Sequence, residues 1–228
     1  MRKLSVVIPA LNEERSIEAV VKAIPKNELN EMGFEVQILV VDNGSQDRTG
    51  ELGRKAGAEV VVEPRRGYGR AYRTAFAQAC GDLIATADAD LTYPVEDIPK
   101  LVKLLVDENL DFVTTNRFPY MDRDAMPFRN KLGNGVLNLA TRLLFRLNLK
   151  DSQSGMWLLR KDLLGRLVLR SDAMPFSEEL KIEALHFAKC RWREVPIKYR
   201  ARHGKAKLQP WKHGFQNLLF LVKKRLSR

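Results

Sequence analysis

The chain has 228 residues, enough to bury the core of one domain, and no Gly/Ser/Pro-rich linker, internal repeat or low-complexity stretch divides it. Its charge is uneven: residues 1–188 carry 26 Lys or Arg against 27 Asp or Glu and residues 189–228 carry 13 against 1, so the formal excess of +11 resides in the tail. Two cysteines without metal or redox spacing, Cys80 and Cys190, exclude a disulfide framework and are read as reduced core thiols of a cytosolic protein. No apolar run reaches bilayer-spanning length, and with a strand predicted almost from the first residue no signal peptide is expected.

In chain order, Leu4 to Pro9 is a short apolar run that reads as a strand, Ala10 to Glu14 as a loop, and Ile17, Val20, Val21 and Ile24 recur at helical spacing. A second copy follows, with Glu35 to Asp42 as the strand, Asn43-Gly44-Ser45 as the turn and Thr49 to Ala56 as the helix; Glu59 to Val62 is a third strand. Gly67-Tyr68-Gly69-Arg70 opens the next helix, either to let backbone approach a nucleotide or as a plain turn. The apolar run after Asp82 ends in Asp88-Ala89-Asp90, two carboxylates one residue apart, which strand alternation would aim the same way. The alternation of strands and helices predicts an α/β fold, a mostly parallel sheet covered on both faces, with Asp42, Asp88 and Asp90 along one edge where such sheets bind ligands.

Leu132 to Leu149 carries Val136, Leu139, Ala140, Leu143 and Leu147 at helical spacing, and a core helix is favoured over a second membrane contact. In the basic tail, Trp211, Phe215, Leu218, Leu219, Val222 and Leu226 form an apolar stripe flanked by Lys212, Lys223, Lys224 and Arg225. This predicts a helix lying in the interface of an anionic membrane, each nearby cation adding on the order of 1 kcal/mol, the alternative being a helix that packs its stripe on the core. Nucleic acid is not expected as a partner, because the tail has no recognisable binding module and its aromatics fall on the stripe instead of forming a stacking platform.

Five motifs occur in order: Val6 to Glu14, Val40 to Asp47, Asp88 to Pro94, Asn116 to Phe118 and Asp151 to Met156. Together they resemble the family 2 glycosyltransferases of the GT-A fold over nearly the whole chain, and Glu194 to Leu208 is similar to the polyprenyl-phosphate branch, the dolichol-phosphate mannose synthase type. The resemblance implies a catalytic domain over 1–208 followed by the amphipathic helix 209–228, at the cytoplasmic face of a membrane. It implies Mg²⁺ or Mn²⁺ held by Asp88 and Asp90 with Thr92 beside them, and a nucleotide-sugar donor, of GDP-mannose or UDP-glucose type, against Pro9, Leu11, Asn12, Glu13, Val41, Asp42, Arg70, Asp88 and Ala89. Thr92 stands where that branch often has Gln, Asn43 where a second Asp is common, and Trp157 where a basic residue is frequent.

The acceptor decides whether a base is needed. A sugar hydroxyl must lose a proton as it attacks, whereas a phosphomonoester, with a second pKa of about 6, is already ionised near neutral pH and needs cations to position it. The cations on offer are Arg117, Arg129, Arg200, Arg202, Lys205 and Lys207; Arg117 and Arg202 lie inside the motifs and are assigned to catalysis with Asp90. Glu178 and Glu179 are base candidates for a hydroxyl acceptor, or else first-turn residues of a helix. The reading is an inverting, metal-dependent transferase that moves a hexose to a polyprenyl phosphate. The alternatives are a transferase with a saccharide acceptor in glycan synthesis and a non-catalytic membrane scaffold. A nucleotidyltransferase is disfavoured because Pro9 to Glu13 lacks a Gly-rich, Arg-containing loop. The sugar, the isoprenoid length, the oligomeric state and any membrane subunit are open.

Overall fold

A computed structural model describes residues 1–202 and 210–227. The first half alternates as expected: β1 (Arg2–Ala10), α1 (Ile17–Ala23), α2 (Lys26–Glu31), β2 (Phe34–Asp42), α3 (Thr49–Lys55), β3 (Glu59–Val62), α4 (Tyr68–Gln78) and β4 (Leu83–Thr86). The second half runs α5 (Ile98–Asp107), β5 (Phe112–Met121), α6 (Phe128–Phe145), β6 (Trp157–Arg160), α7 (Phe176–Ile182), β7 (Trp192–Tyr199) and α8 (Pro210–Leu226). Helix α2 was not foreseen, because a polar hexapeptide anchored by the single buried Leu29 has no helical periodicity to read.

Among the described residues the strands form one sheet in the order β3-β2-β1-β4-β6-β5-β7. Strand β6 runs antiparallel to β4 and β5, and every other pairing is parallel. Period-two alternation sends successive side chains to opposite faces, so each strand feeds two cores. Leu4, Val6 and Ile8 of β1 and Val36, Ile38 and Val40 of β2 meet α1, α2, α3 and α5 on one face. Val7, Leu39, Val41 and Ile84 meet α4, α6, α7 and α8 on the other. The sheet is thus covered on both sides, as a mostly parallel sheet requires.

The glycines of the Gly67-Tyr68-Gly69 segment serve close packing at the start of α4. A Cβ on Gly69 would lie 2.2 Å from the Ser171 carbonyl oxygen and 2.8 Å from Phe176 Cβ, and one on Gly67 would lie 2.3 Å from the Asp172 carbonyl oxygen. The backbone that approaches here is the protein's own, and Tyr72 from the same helix stacks on Phe176 at 5.5 Å. Gly69→Ala is expected to cost about 2 kcal/mol through overpacking against backbone, which lowers the melting temperature by roughly 4–8 °C in a domain of this size. An unchanged thermal melt would refute the close approach.

Candidate functional site

Parallel pairing in register brings Pro9 level with Val41 and Ala10 level with Asp42, so the loops after β1 and β2 leave the sheet side by side. They are fastened to each other: Asn12 N–H donates to Ser45 Oγ at 2.9 Å, Gln46 N–H to Asn12 Oδ1 at 2.8 Å, and Glu13 N–H to Thr49 Oγ1 at 2.8 Å. Asn12 occupies the left-handed region at φ 50°, which asparagine tolerates better than most residues. The half-buried Asp42 accepts Ser45 N–H at 2.9 Å through Oδ1, and its Oδ2 lies where a Cβ on Gly50 would come within 2.8 Å. Asn43 supports this loop from below, donating to the carbonyls of Glu63 and Arg65 and accepting Gly67 N–H.

Strand β4 ends at Thr86, so Asp88 and Asp90 stand in the following turn and strand alternation does not place them, contrary to expectation. The turn does. Asp90 Oδ1 accepts Thr92 N–H at 3.1 Å and Thr92 Oγ–H at 2.6 Å, and these bonds hold Leu91 at φ 66°, a left-handed conformation costly for a bulky side chain and characteristic of functional loops. Asp90 Oδ2 takes Arg202 Nη1 at 2.7 Å, while Arg202 Nη2 meets Glu13 Oε1. Burial, and next to it the Asp90 carboxylate, pushes the Asp88 carboxyl up to about 7. A half-buried carboxylate, Asp88, beside a buried one, Asp90, that already holds a guanidinium forms an oxygen donor set fit for a divalent cation. Among the described residues no third His, Cys, Asp or Glu joins them in ligand geometry, so the remaining positions would fall to water and a bound anion.

A positive pole faces this negative one. Arg117 is buried and paired bidentately with Asp151, Nε to Oδ2 at 2.7 Å and Nη2 to Oδ1 at 2.8 Å, and its ring partner is Tyr199 at 5.3 Å. Burial alone would lower the guanidinium, but Asp151 overrides it and holds Arg117 well above its ordinary value. Burial would likewise raise Asp151, and Arg117 reverses that and keeps the carboxyl low. The Asp151 loop folds back onto the turn that carries Asp88 and Asp90: Gly155 N–H donates to Tyr93 Oη at 2.7 Å, and a Cβ on Gly155 would come within 3.3 Å of Asp88 Oδ1 and 3.1 Å of Tyr68 Oη. The tyrosines were missed by sequence reading, since aromatic residues on a helix and in a turn carry no signal beyond core packing. Lys181 was missed too. It is fully buried, donates to the carbonyls of Asp151, Ser152 and Ser154 at 2.7–3.1 Å, and burial pulls it down to about 7.

The remaining predicted residues have the following partners and exposure. Arg70 pairs with Asp172, and Arg200 with Glu96. Arg129 is exposed in the first turn of α6, Leu11 is half-buried and Ala89 is buried in the core. Lys205 and Lys207 lie outside the described residues. Glu179 is structural, accepting the backbone N–H groups of Arg170 and Ser171 and the Lys224 ammonium. Glu178 is fully buried, takes Gln153 Nε2 on Oε1, and is pushed up to about 8 by burial, so it carries a proton at neutral pH. Cys190 is buried, whereas Cys80 is exposed and not the core thiol expected.

Helix α6 departs from the favoured core reading. Its inner face is Leu137, Asn138, Thr141 and Phe145, while Phe128, Leu132, Val136, Leu139 and Leu143 are exposed, Phe128 at 80%. Helix α8 has the same two faces: Asn217, Leu221 and Lys224 point inward, and the stripe from Trp211, 85% exposed, to Leu226 points outward. Lys224 is therefore no surface cation but a buried partner of Glu179 at 3.2 Å and Glu183 at 2.6 Å. No described helix is long and apolar enough to cross a membrane.

The family described as Glycosyl transferase family 2 matches residues 5–168. The chain is 32% identical over 221 residues to the low-salt glycan biosynthesis hexosyltransferase Agl6 of Haloferax volcanii, covering 96% of this chain but 53% of that protein, so it spans about half the length of that relative. It is 32% identical over 211 residues to a dolichyl-phosphate hexose transferase of the same organism, covering 92% of this chain and 89% of that one. Its fold is similar to that of glucosyl-3-phosphoglycerate synthase from Mycobacterium tuberculosis, solved with Mn²⁺, uridine diphosphate and phosphoglyceric acid, with a TM-score of 0.76 at 23% identity, covering 98% of this chain and 78% of that one.

The raised carboxyl of Glu178 has a consequence for stability. The folded form holds its proton up to about pH 8, while the unfolded form releases it near 4.5, so this residue's contribution to stability falls as pH rises between those values. Glu178→Gln, which mimics the protonated acid, is expected to melt close to wild type at pH 5 and increasingly above it towards pH 8. Parallel melting curves for the two proteins would show that Glu178 is ionised in the fold.

Proposed function

The chain belongs to glycosyl transferase family 2, and we propose that it moves a hexose from a nucleotide sugar to a polyprenyl phosphate at the cytoplasmic face of a membrane, to which it binds peripherally. The observation that carries this reading is the setting of Arg117: a buried guanidinium whose supporting loop is roofed by α6 and α8, two helices with outward apolar stripes. A lipid-borne phosphate needs that combination. The isoprenoid stays in the membrane against the stripes while the phosphate meets an arginine fork.

The donor's nucleoside would lie along Pro9, Leu11, Asn12, Val41 and Asp42, where a half-buried carboxylate can accept hydrogen bonds from base or ribose. Asp88, Asp90 and, beside them, Thr92 would hold Mg²⁺ or Mn²⁺, which supplies Lewis-acid stabilisation of the departing diphosphate. Arg202, seated on Asp90 and Glu13, adds a second positive charge at the same leaving group. Arg117 presents the phosphate, already ionised, for a single in-line attack on the anomeric carbon, which inverts its configuration. No general base is required for a phosphate that is already ionised, and Glu178 is buried against Gln153.

A panel of radiolabelled nucleotide sugars, assayed with a short polyprenyl phosphate and read by transfer into the organic phase, tests the reaction. Label passing only to soluble saccharides would overturn the acceptor assignment. In that assay Asp90→Asn is expected to lose about 3 kcal/mol of leaving-group stabilisation, on the order of a hundredfold in rate, and EDTA should do the same. Full transfer in EDTA would contradict the metal role. Replacing Phe128 and Trp211 together with Ser should weaken sedimentation with anionic vesicles at least tenfold, since each buried aromatic contributes about 2 kcal/mol, while the thermal melt stays near wild type. Equal vesicle binding by both proteins would mean the stripes meet something other than lipid.

A further inference from the structure

The segment that carries Asp151 is held by one buried polar side chain from each of three helices. From α6, Asn138 donates to the Lys150 carbonyl at 2.7 Å and accepts both Ser152 N–H and Ser152 Oγ–H at 2.8 Å. From α7, Lys181 caps three carbonyls of the same segment. From α8, Asn217 donates Nδ2 to Gln153 Oε1 at 2.9 Å, and Gln153 Nε2 donates in turn to Ser152 Oγ at 3.0 Å and to Glu178. The backbone N–H of Gln153 then meets Asp151 Oδ1 at 3.2 Å, the oxygen that also takes Arg117 Nη2 at 2.8 Å. A path of hydrogen bonds, passing through the Gln153 residue itself, therefore runs from α8 by way of the Asp151 carboxylate to the guanidinium.

Packing does not explain Asn217. It is 4% exposed on the inner face of α8, one turn before the fully buried Leu221, and its Oδ1 is buried without a hydrogen-bond partner among the described residues. A leucine there would cover the same surface and leave no carbonyl dry. What the amide does that a leucine cannot is hold Gln153.

We propose that Asn217 and Gln153 are positioning residues that tie the seating of α8 to the placement of the Asp151 loop, and so set the edge of Arg117 that meets the acceptor. The identity of that acceptor rests on the function proposed above; the coupling of α8 to Arg117 does not. The donor-side loops are fastened to one another by Asn12, Ser45 and Thr49, so a disturbance entering at α8 reaches the acceptor pole and spares the donor.

The test uses the full chain with Asn217→Leu, Gln153→Met and the double variant. Each is examined by thermal melt, by KM for the nucleotide sugar and for polyprenyl phosphate in anionic vesicles, and by amide hydrogen exchange at Arg117 and Gln153. The expected result is a melting temperature within a few degrees of wild type, an unchanged donor KM, and an acceptor KM raised about tenfold. Exchange at the two amides should be faster, and the double variant should be no worse than either single one, because residues of one chain are not additive. Asn217→Gln, which keeps the amide, should recover part of the loss. The proposal is overturned if exchange at Arg117 is unchanged, if the two substitutions add, or if donor and acceptor KM rise together with a large fall in melting temperature. Should the wild type transfer nothing to any polyprenyl phosphate, the acceptor reading fails alone, since amide exchange still decides the coupling.

Discussion

The pairing of Arg117 with Asp151 is the constraint on which the second half of the molecule depends. A guanidinium and a carboxylate taken out of water lose far more solvation than an exposed pair, and leaving either without its partner in such a site costs about 3–5 kcal/mol. The cost is met by geometry: two parallel charge-assisted bonds, a third from the Arg117 backbone N–H, and the face of Tyr199. That geometry in turn demands a loop fixed to within tenths of an ångström. Asn138, Lys181, Asn217 and Gln153 all serve that end, which is why three helices converge on a few residues.

The electrostatic plan follows from having two poles a short way apart. Asp42, Asp88, Asp90 and Glu13 gather where parallel strands end, and Arg117 and Lys181 gather behind the Asp151 loop. Each pole alone is unfavourable in a buried setting, as the raised Asp88 carboxyl and the depressed Lys181 ammonium record. Gly155 joins them because a side chain there would fill the space against Asp88 and the Tyr68 hydroxyl. Arg202, from far along the chain, joins Asp90 to Glu13 within the negative pole.

Helices α6 and α8 each solve two problems with opposite faces. The inner faces carry a few polar groups that hold the loop and an ion cluster, with Lys224 between Glu179 and Glu183. The outer faces carry aromatic and aliphatic stripes far larger than scattered surface apolar residues require. Helix α8 is therefore both part of the folded core and an outward-facing surface, but it is not the apolar stripe that packs on the core, as the alternative reading had it. The sequence stripe was correctly seen. What could not be seen was that the opposite face, with one leucine among polar residues, is the one that packs.

How much was legible depends on the range of the interaction that decides each feature. Continuous apolar runs such as Val6-Val7-Ile8 and Ile38-Leu39-Val40 announce strands because burial on both faces is written locally, and a polar loop follows each. Membership of the family was legible for the same reason, as five short motifs in order. The Asp88 and Asp90 pair was legible as a pair but not in its support, since a turn held by Thr92 and a strained Leu91, not a strand, presents it. Lys181, the tyrosines and the inner faces of α6 and α8 were not legible. A lysine in a helix reads as solvated until the fold surrounds it with carbonyls, and an amphipathic helix does not say which side meets water. The sequence by itself determined the strands of the first half, their alternation with helices, the acidic residues that follow them and the apolar stripes, because each follows from neighbours within a few residues. Only the tertiary structure decided which charges are buried, which partner each one has and which way the stripes point, because those are set by groups 30 to 190 positions apart in the chain, as Arg117 with Asp151 and Arg202 with Glu13 are.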